Sequence, residues 1–200
     1  ASRSAGGIQK TGVEVVSDAL LRALEATCPS EVEAVYVTPK IIDWLPEERQ
    51  RVIKLRRLWT LAGLSFALLR RRADALFVPV HTLPFFCPMR TVKIIHDVAF
   101  LKQPELYSAL ECLYLRFDFW RSTRIASKIF VPTDTVRKDI ARFLKDVETK
   151  IEVLRFGYER ISDVPKASGR TNSVLFIGRV EEKKNVANLI NAFLDFKIAY

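Results

Sequence analysis

Cations follow an apolar run near the C-terminal end of the chain. Arg179 and the basic pair at 183–184 come after Val174–Ile177 and Gly178. Asn185, a good helix N-cap, comes next, and apolar residues then recur at helical spacing. The pattern predicts a strand, a basic loop and a helix N-terminus. Because free N–H groups and cations attract anions, two interpretations remain open: a phosphate or diphosphate site, or a solvated basic rim.

A histidine and an aspartate stand directly after a second apolar run. His96 and Asp97 follow Val92–Ile95, which is typical of a parallel strand buried on both faces. Ligands bind at the carboxyl ends of strands in open parallel sheets. His96 could therefore transfer a proton or bind a hydroxyl group, with Asp97 orienting it. The alternative is a histidine satisfied by backbone groups and an aspartate that caps a turn.

Three further segments carry weaker signals. Gly7 lies in a glycine-containing stretch before a predicted helix, where a phosphate or sugar could approach the backbone. His81 lies in the proline-rich connection Pro79–Arg90, which we expect to be an ordered loop. Thr133 precedes another predicted helix, and capping of that helix is its simpler role.

The elements that must position these residues alternate along the chain. The pattern predicts a parallel sheet with helices on its faces, an α/β fold. The predicted helices are Val13–Thr27, Glu47–Arg72 (in one piece or two), Tyr107–Ala126, Asp134–Leu144 and the C-terminal one. The predicted strands are Glu33–Val37, Ala75–Val78, Val92–Ile95, Lys128–Val131, Ile151–Leu154 and Val174–Ile177.

Composition limits the classes of protein without choosing among them. The chain has 200 residues, 49% of them hydrophobic, and a formal net charge of +9. That charge suits anionic partners, whether nucleotides, acidic membrane surfaces or nucleic acid. The three cysteines match neither a disulfide framework nor a metal pattern, so we expect buried thiols in a reducing, cytoplasmic compartment and no bound metal.

The longest apolar stretch, Leu58–Leu69, is short of the roughly 20 residues that a membrane span needs. Arginines flank it on both sides. A buried helix is one interpretation, and a helix docked on an anionic membrane surface is the other.

Taken together, the Gly-Arg…Lys-Asn segment and the strand-His-Asp segment resemble the retaining glycosyltransferases of the family 4 type, which have a GT-B fold. The resemblance extends loosely over nearly the whole chain. It implies a Rossmann-like acceptor-side domain at 1–156 whose first strand is missing, a linker at 157–172, and the truncated start of a nucleotide-sugar-binding domain at 173–200.

The resemblance also implies roles for individual residues. Arg179 and Lys184 would bind the diphosphate of a nucleotide-sugar donor, and Gly178 and Gly7 would let the backbone approach it. His96 would contact the transferred sugar or the acceptor, aided by Asp97, and His81 would shape the acceptor side.

The implied reaction transfers a sugar with retention to a saccharide or lipid-linked acceptor, without a metal or other cofactor. The paired glutamates of the family's second domain have no counterpart here, so we expect a fragment with little activity alone. Two alternatives stay open: a basic nucleic-acid-binding module, disfavoured because the basic residues are scattered, and a non-catalytic GT-B relative. The expected site of action is the cytoplasm, with contact at the inner face of the membrane as an option.

Overall fold

A computed structural model describes residues 11–55, 59–70, 73–157, 173–178 and 180–199, and at residues 183, 198 and 199 it describes the backbone alone. Two parallel sheets lie within these ranges. The smaller sheet pairs β1 (Tyr36–Thr38) with β2 (Gln50–Val52). The larger sheet has the order β3-β4-β5-β6, built from β3 (Ala75–Val78), β4 (Arg90–Ile94), β5 (Lys128–Val131) and β6 (Ile151–Val153).

Helices connect β2 to β3, β4 to β5 and β5 to β6, whereas the connections between β1 and β2 and between β3 and β4 contain no α-helix. The α-helices are α1 (Gly12–Thr27), α2 (Leu64–Arg70), α3 (Ala99–Lys102), α4 (Ala109–Ile125), α5 (Asp134–Phe143) and α6 (Val186–Ala199). Short 3-10 turns lie at Glu47–Arg49, Pro104–Leu106, Lys145–Lys150 and Glu182–Lys184, and a π-helical turn at Trp59–Gly63 leads into α2. The predicted α/β class is confirmed, and the parallel sheets are compatible with a Rossmann-like fold.

The main core lies on the four-stranded sheet. Ile129 and Val131 of β5 are fully buried and cluster with Phe119 of α4 and Ile140 of α5. Two smaller clusters lie beside it, and Leu76 of β3 packs against both the main core and one of them. One joins α1 to β1, and the other gathers Trp59, Leu64 and Leu68 beneath β1 and β3. The buried apolar residues thus form three clusters, and the Trp59 cluster contacts a strand of each sheet.

Most predicted elements on the larger sheet are confirmed. β3 and β5 have the predicted bounds, and α4, α5 and β6 differ from prediction by one or two residues at their ends. The first predicted strand is shifted, because β1 begins at Tyr36 rather than Glu33.

The long helix predicted at Glu47–Arg72 is wrong in its first part. Residues 47–49 form a 3-10 turn, and Gln50–Val52 then pairs with β1 as a strand. The Gln50 side chain explains this choice. Its Oε1 accepts from the Ile42 N–H at 2.8 Å, and its Nε2 donates to the Ile42 and Leu45 carbonyls at 3.0 and 2.7 Å. These bonds fix the preceding loop and hold the segment in the sheet.

The strand predicted at Val174–Ile177 is also wrong. The segment is not in a strand, and Leu175 and Ile177 are 80% and 86% exposed. A strand requires hydrogen-bonding partners, and the described residues supply none for this segment. The predicted linker lies outside the described residues except for Gly157.

The cysteines depart partly from expectation. All three are free, but only Cys112 is buried, while Cys28 and Cys87 are partly exposed. Within the described ranges, none of the helices combines the length and the apolar character needed to cross a bilayer.

Candidate functional site

The carboxyl edge of the larger sheet gathers one residue from beyond each strand, among them the predicted His96 and Thr133. Pro79 follows β3, His96 follows β4, Thr133 follows β5 and Phe156 follows β6. Because these neighbouring strands are parallel, their carboxyl ends lie along one edge. This edge is the candidate site.

His96 is held at the end of β4 by two contacts. Its Nε2 lies 3.1 Å from the Pro79 carbonyl oxygen, and its ring centroid lies 5.7 Å from that of Phe156. A carbonyl oxygen only accepts hydrogen bonds, so Nε2 carries the proton. In the neutral imidazole Nδ1 is then an acceptor, and the partly exposed ring can take a hydrogen bond from a ligand hydroxyl.

Asp97 has a structural role in this arrangement. Its Oδ1 accepts a hydrogen bond from the Ala99 N–H at 3.1 Å, which closes the turn that leads into α3. This contact agrees with the interpretation of Asp97 as a residue that caps a turn. Pro79 positions the His96 ring, and a catalytic role for Asp97 stays a prediction.

A small pocket opens beside His96. It has a volume of about 480 Å³ and is lined by Pro132, Thr133, Asp134, Arg155 and Phe156. The Thr133 hydroxyl accepts from the Val136 N–H at 3.3 Å, which confirms Thr133 as the N-cap of α5. Phe156 borders this pocket and also contacts His96, so it connects the pocket with His96.

His81 lies in the loop after β3, where it was predicted to shape an acceptor side. Its side chain is partly exposed, and its backbone carbonyl accepts from the Ser122 Oγ at 3.3 Å. The loop is ordered by such bonds. Arg121 donates to the Leu83 and Pro84 carbonyls at 2.5 and 2.9 Å.

Sequence reasoning missed a buried group of charged residues behind this loop. Lys93 of β4 is fully buried, and its Nζ donates to the Ser122 hydroxyl of α4. Asp118, also buried, pairs with Arg121 at 2.8 Å. The Asp118 Oδ2 and Arg121 Nε atoms are buried and have no hydrogen-bond partner among the described residues.

Burial controls the charge of Lys93. The pKa of the Lys93 ammonium is lowered to about 7, mainly by desolvation; Asp118 opposes this shift and Arg121 adds to it. A lysine in the middle of the apolar run TVKII was the available sequence signal. Its position on a strand expected to be buried on both faces predicts this perturbation.

The basic segment near the C-terminal end gives a different picture. Lys184 is exposed and ends a 3-10 turn. Asn185 has a left-handed backbone with φ of 52°, and its carbonyl accepts the first helical bond from Leu189 at 3.2 Å. Asn185 thus starts α6 as predicted, but without the extended backbone usual at an N-cap.

Gly178 lies against the ring of Phe176, and its predicted close approach to a donor stays a prediction. A Cβ added there would lie 3.1 Å from the Phe176 ring, so the site is already crowded. Arg179 and Gly7 lie outside the described residues. The structure therefore brings together His96, Thr133 and Phe156, and leaves the predicted donor residues untested.

Comparison with known proteins adds nothing to this geometry. No family model, curated protein or solved structure matches the chain.

The chemistry open to the edge follows from its side chains. It offers a histidine acceptor, an aromatic face, a helix N-terminus and the exposed cation Arg155. Such a set suits a polyhydroxylated or anionic ligand. Across the described ranges, no three His, Cys, Asp or Glu side chains come together as a metal-ion site.

Proposed function

We propose that the chain is the acceptor-side domain, with the start of the donor-side domain, of a retaining glycosyltransferase of the family 4 type with a GT-B fold. The whole protein would transfer a sugar from a nucleotide-sugar to a saccharide or lipid-linked acceptor. The observation that carries the proposal is the position of His96. It stands at the carboxyl end of a buried central strand, with its proton on Nε2 and its Nδ1 available.

The geometry of His96 supports binding of a sugar hydroxyl. Nδ1 accepts, the Phe156 ring provides an apolar face beside it, and the α5 N-terminus provides a positive dipole end nearby. Sugars present hydroxyl groups around an apolar ring, so these features match their surface. His96 acts here as a ligand for the acceptor or the transferred sugar.

A binding measurement on the chain tests this assignment. UDP-glucose, GDP-mannose and their free hexoses are titrated into isotope-labelled protein, and amide shifts are followed by NMR. We expect shifts at Gly157 and around His96, with His96→Ala weakening the binding roughly tenfold, the effect of one lost hydrogen bond in a polar site.

Arg90→Ala is the matched control, because Arg90 is exposed at the opposite end of the same strand. It should leave the affinity unchanged. Equal losses in both variants, or shifts confined to the amino edge of the sheet, would contradict the assignment.

The donor half of the proposal rests on Arg179 and Lys184. Arg179→Ala and Lys184→Ala should each weaken binding of UDP or GDP, because each removes a cation from the diphosphate. Lys197→Ala, which removes an exposed lysine elsewhere on α6, is the control. Unchanged affinity in both test variants would remove the donor-site assignment while leaving the His96 assignment standing.

The surface of α4 supports contact with a membrane that carries a lipid-linked acceptor. Leu110, Leu113 and Phe117 are 81%, 67% and 56% exposed at spacings of three and four, so they form one apolar stripe. Arg116 is exposed beside them. An apolar stripe with adjacent cations suits the surface of an anionic bilayer.

Sedimentation with phosphatidylserine vesicles checks this part of the proposal. The triple variant Leu110→Ser, Leu113→Ser, Phe117→Ser should lose sedimentation, whereas Ile41→Ser, which alters an exposed apolar residue after β1, should retain most of it. Equal sedimentation of all three proteins would place the contact elsewhere.

A further inference from the structure

A large apolar groove separates the two sheets. It has a volume of 1190 Å³. Residues of β1 line one side and residues of β3 line the other, with Leu21 and Leu24 of α1 and Trp59 and Leu64 also in the wall. We call this groove the slot.

The two strands that border the slot have unpaired edges among the described residues. β1 pairs with β2 alone, and β3 pairs with β4 alone. The Thr38 carbonyl accepts from Ile53, just past the end of β2, at 2.9 Å. Successive residues of a strand direct their peptide groups to opposite sides, so the Val37 N–H and C=O point away from β2, into the slot. Such edges readily pair with another strand.

Each face of the slot is also covered by another part of the chain. Tyr36 packs in the cluster under α1, whereas the next residue, Val37, packs with Trp59 and Leu64. Successive side chains of a strand point to opposite faces, so α1 covers one face of the slot and the Trp59 region covers the other. Leu76 of β3 joins the same cluster as Val37, which places the two strands side by side.

The course of α1 fixes the direction of the strands. The Ser17 Oγ donates to the Pro79 carbonyl, just past the carboxyl end of β3, at 3.3 Å. Later in α1, Glu25 accepts from the hydroxyl of Tyr36, the first residue of β1, at 2.9 Å. The helix therefore runs from the carboxyl end of β3 to the amino end of β1, so β1 and β3 are parallel.

We propose that the slot receives one apolar β-strand, parallel to β1 and β3, that belongs to the polypeptide on the N-terminal side of α1. A strand in the slot would end at the carboxyl edge, where α1 begins. It would form with α1 and β1 the right-handed strand–helix–strand unit that parallel sheets use. The joined sheet would have the order 3-2-1-4-5-6-7, an extension of the doubly wound order. This inference does not depend on the proposed function.

The occupant is apolar because both faces of the slot are apolar. The exposed Leu24 and Val35 lie in its wall, and a strand there would cover them. It is also short, because β1 has three residues and β3 has four. With this strand in place, the apolar clusters on the two sides of the slot would form one continuous core.

An N-terminal extension tests the proposal. Six residues, Val-Ile-Val-Leu-Val-Ile, are fused before Ala1, and the control carries Pro at the third and fourth of these positions, which removes two N–H donors. The apolar extension should raise the midpoint of thermal unfolding by about 4 °C or more. It should also slow hydrogen exchange of the Val37 amide roughly tenfold or more. The proline control should do neither.

A substitution in the wall gives a second readout. Leu24→Lys should be tolerated in the 200-residue chain, where Leu24 is half-exposed, but should cancel the gain in the extended protein. Val15→Lys, on the same helix but outside the slot, should leave the gain intact.

Two results would overturn the proposal. One is an apolar extension that leaves the unfolding midpoint and Val37 exchange as they are in the unextended chain. The other is a dimer of the unextended chain in sedimentation equilibrium with Val37 already protected, which would assign the slot to a second copy.

Discussion

The carboxyl edge of the larger sheet and the basic segment at 173–199 were both predicted to bind ligand, yet among the described residues only the first packs against neighbouring strands. His96 follows two fully buried residues, Ile94 and Ile95, and contacts Pro79 and Phe156. Lys184 follows a run in which Leu175 and Ile177 are exposed. A motif names the residues of a site, but only packing against neighbouring strands fixes where they stand.

The energetic side of this comparison can be tested with one substitution made in both regions. Leu83→Ala removes a fully buried side chain of the main core, so it should lower the free energy of unfolding by about 3–5 kcal/mol. Leu175→Ala removes an exposed side chain and should change it by less than about 0.5 kcal/mol. Urea denaturation followed by circular dichroism measures both.

Similar losses in the two variants would break the comparison. They would mean that residues 173–178 pack in solution as firmly as the core. A loss of unfolding free energy in Leu83→Ala alone would support the difference between the two regions.

A second test uses lysines from the two regions and the pH. The pKa of Lys93 is lowered to about 7 by burial, so the unfolded chain holds this proton up to higher pH than the folded one. The folded state therefore bears the full cost of Lys93 below pH 7, and the cost disappears as the pH rises toward the ordinary pKa of lysine. Lys93→Met should stabilise the protein by about 2 kcal/mol at pH 6, once the lost Ser122 contact is allowed for.

The gain from Lys93→Met should shrink steadily between pH 7 and pH 10, the range between the two pKa values. Lys184→Met, at an exposed position, should show no such trend. A pH-independent effect of Lys93→Met would mean that the buried amine stays charged in the fold.

The smallest expected effects concern the two helix starts. Thr133→Ala should cost about 1 kcal/mol, because it removes the cap of a helix that packs on the main core. Asn185→Gly relieves a left-handed backbone at the start of α6. It should leave the denaturation midpoint unchanged, because no side chain of α6 that the structure describes is buried. Thermal unfolding of both variants tests these two expectations. A shifted midpoint for Asn185→Gly would contradict the second.

The accuracy of the predictions made from the sequence also differs among these elements. The apolar runs of β3 and β5 and the spacing of α5 sufficed to place those elements, because burial pattern and local preference agree there. The strand at Gln50–Val52 was missed because a side-chain amide, not an apolar pattern, holds it. The run at Val174–Ile177 has the composition of a strand but no partner among the described residues.

The candidate site was predicted in the same partial way. His96 was predicted because a polar residue directly after a buried strand lies at the carboxyl edge of the sheet, irrespective of the conformation of the loops. Its contact with Phe156 joins residues 60 positions apart, and no local pattern predicts that pair. The buried Lys93 and Asp118 were missed for the same reason, since their meeting depends on how α4 packs over β4.

The buried Lys93 amine also has a calorimetric consequence. At pH 8.5 the native protein holds it neutral, so each molecule that melts takes up close to one proton from the buffer. The heat absorbed in a scanning experiment therefore includes the ionisation heat of the buffer. The transition enthalpy should be larger in Tris than in a buffer of small ionisation heat at the same pH, and Lys93→Met should abolish that difference.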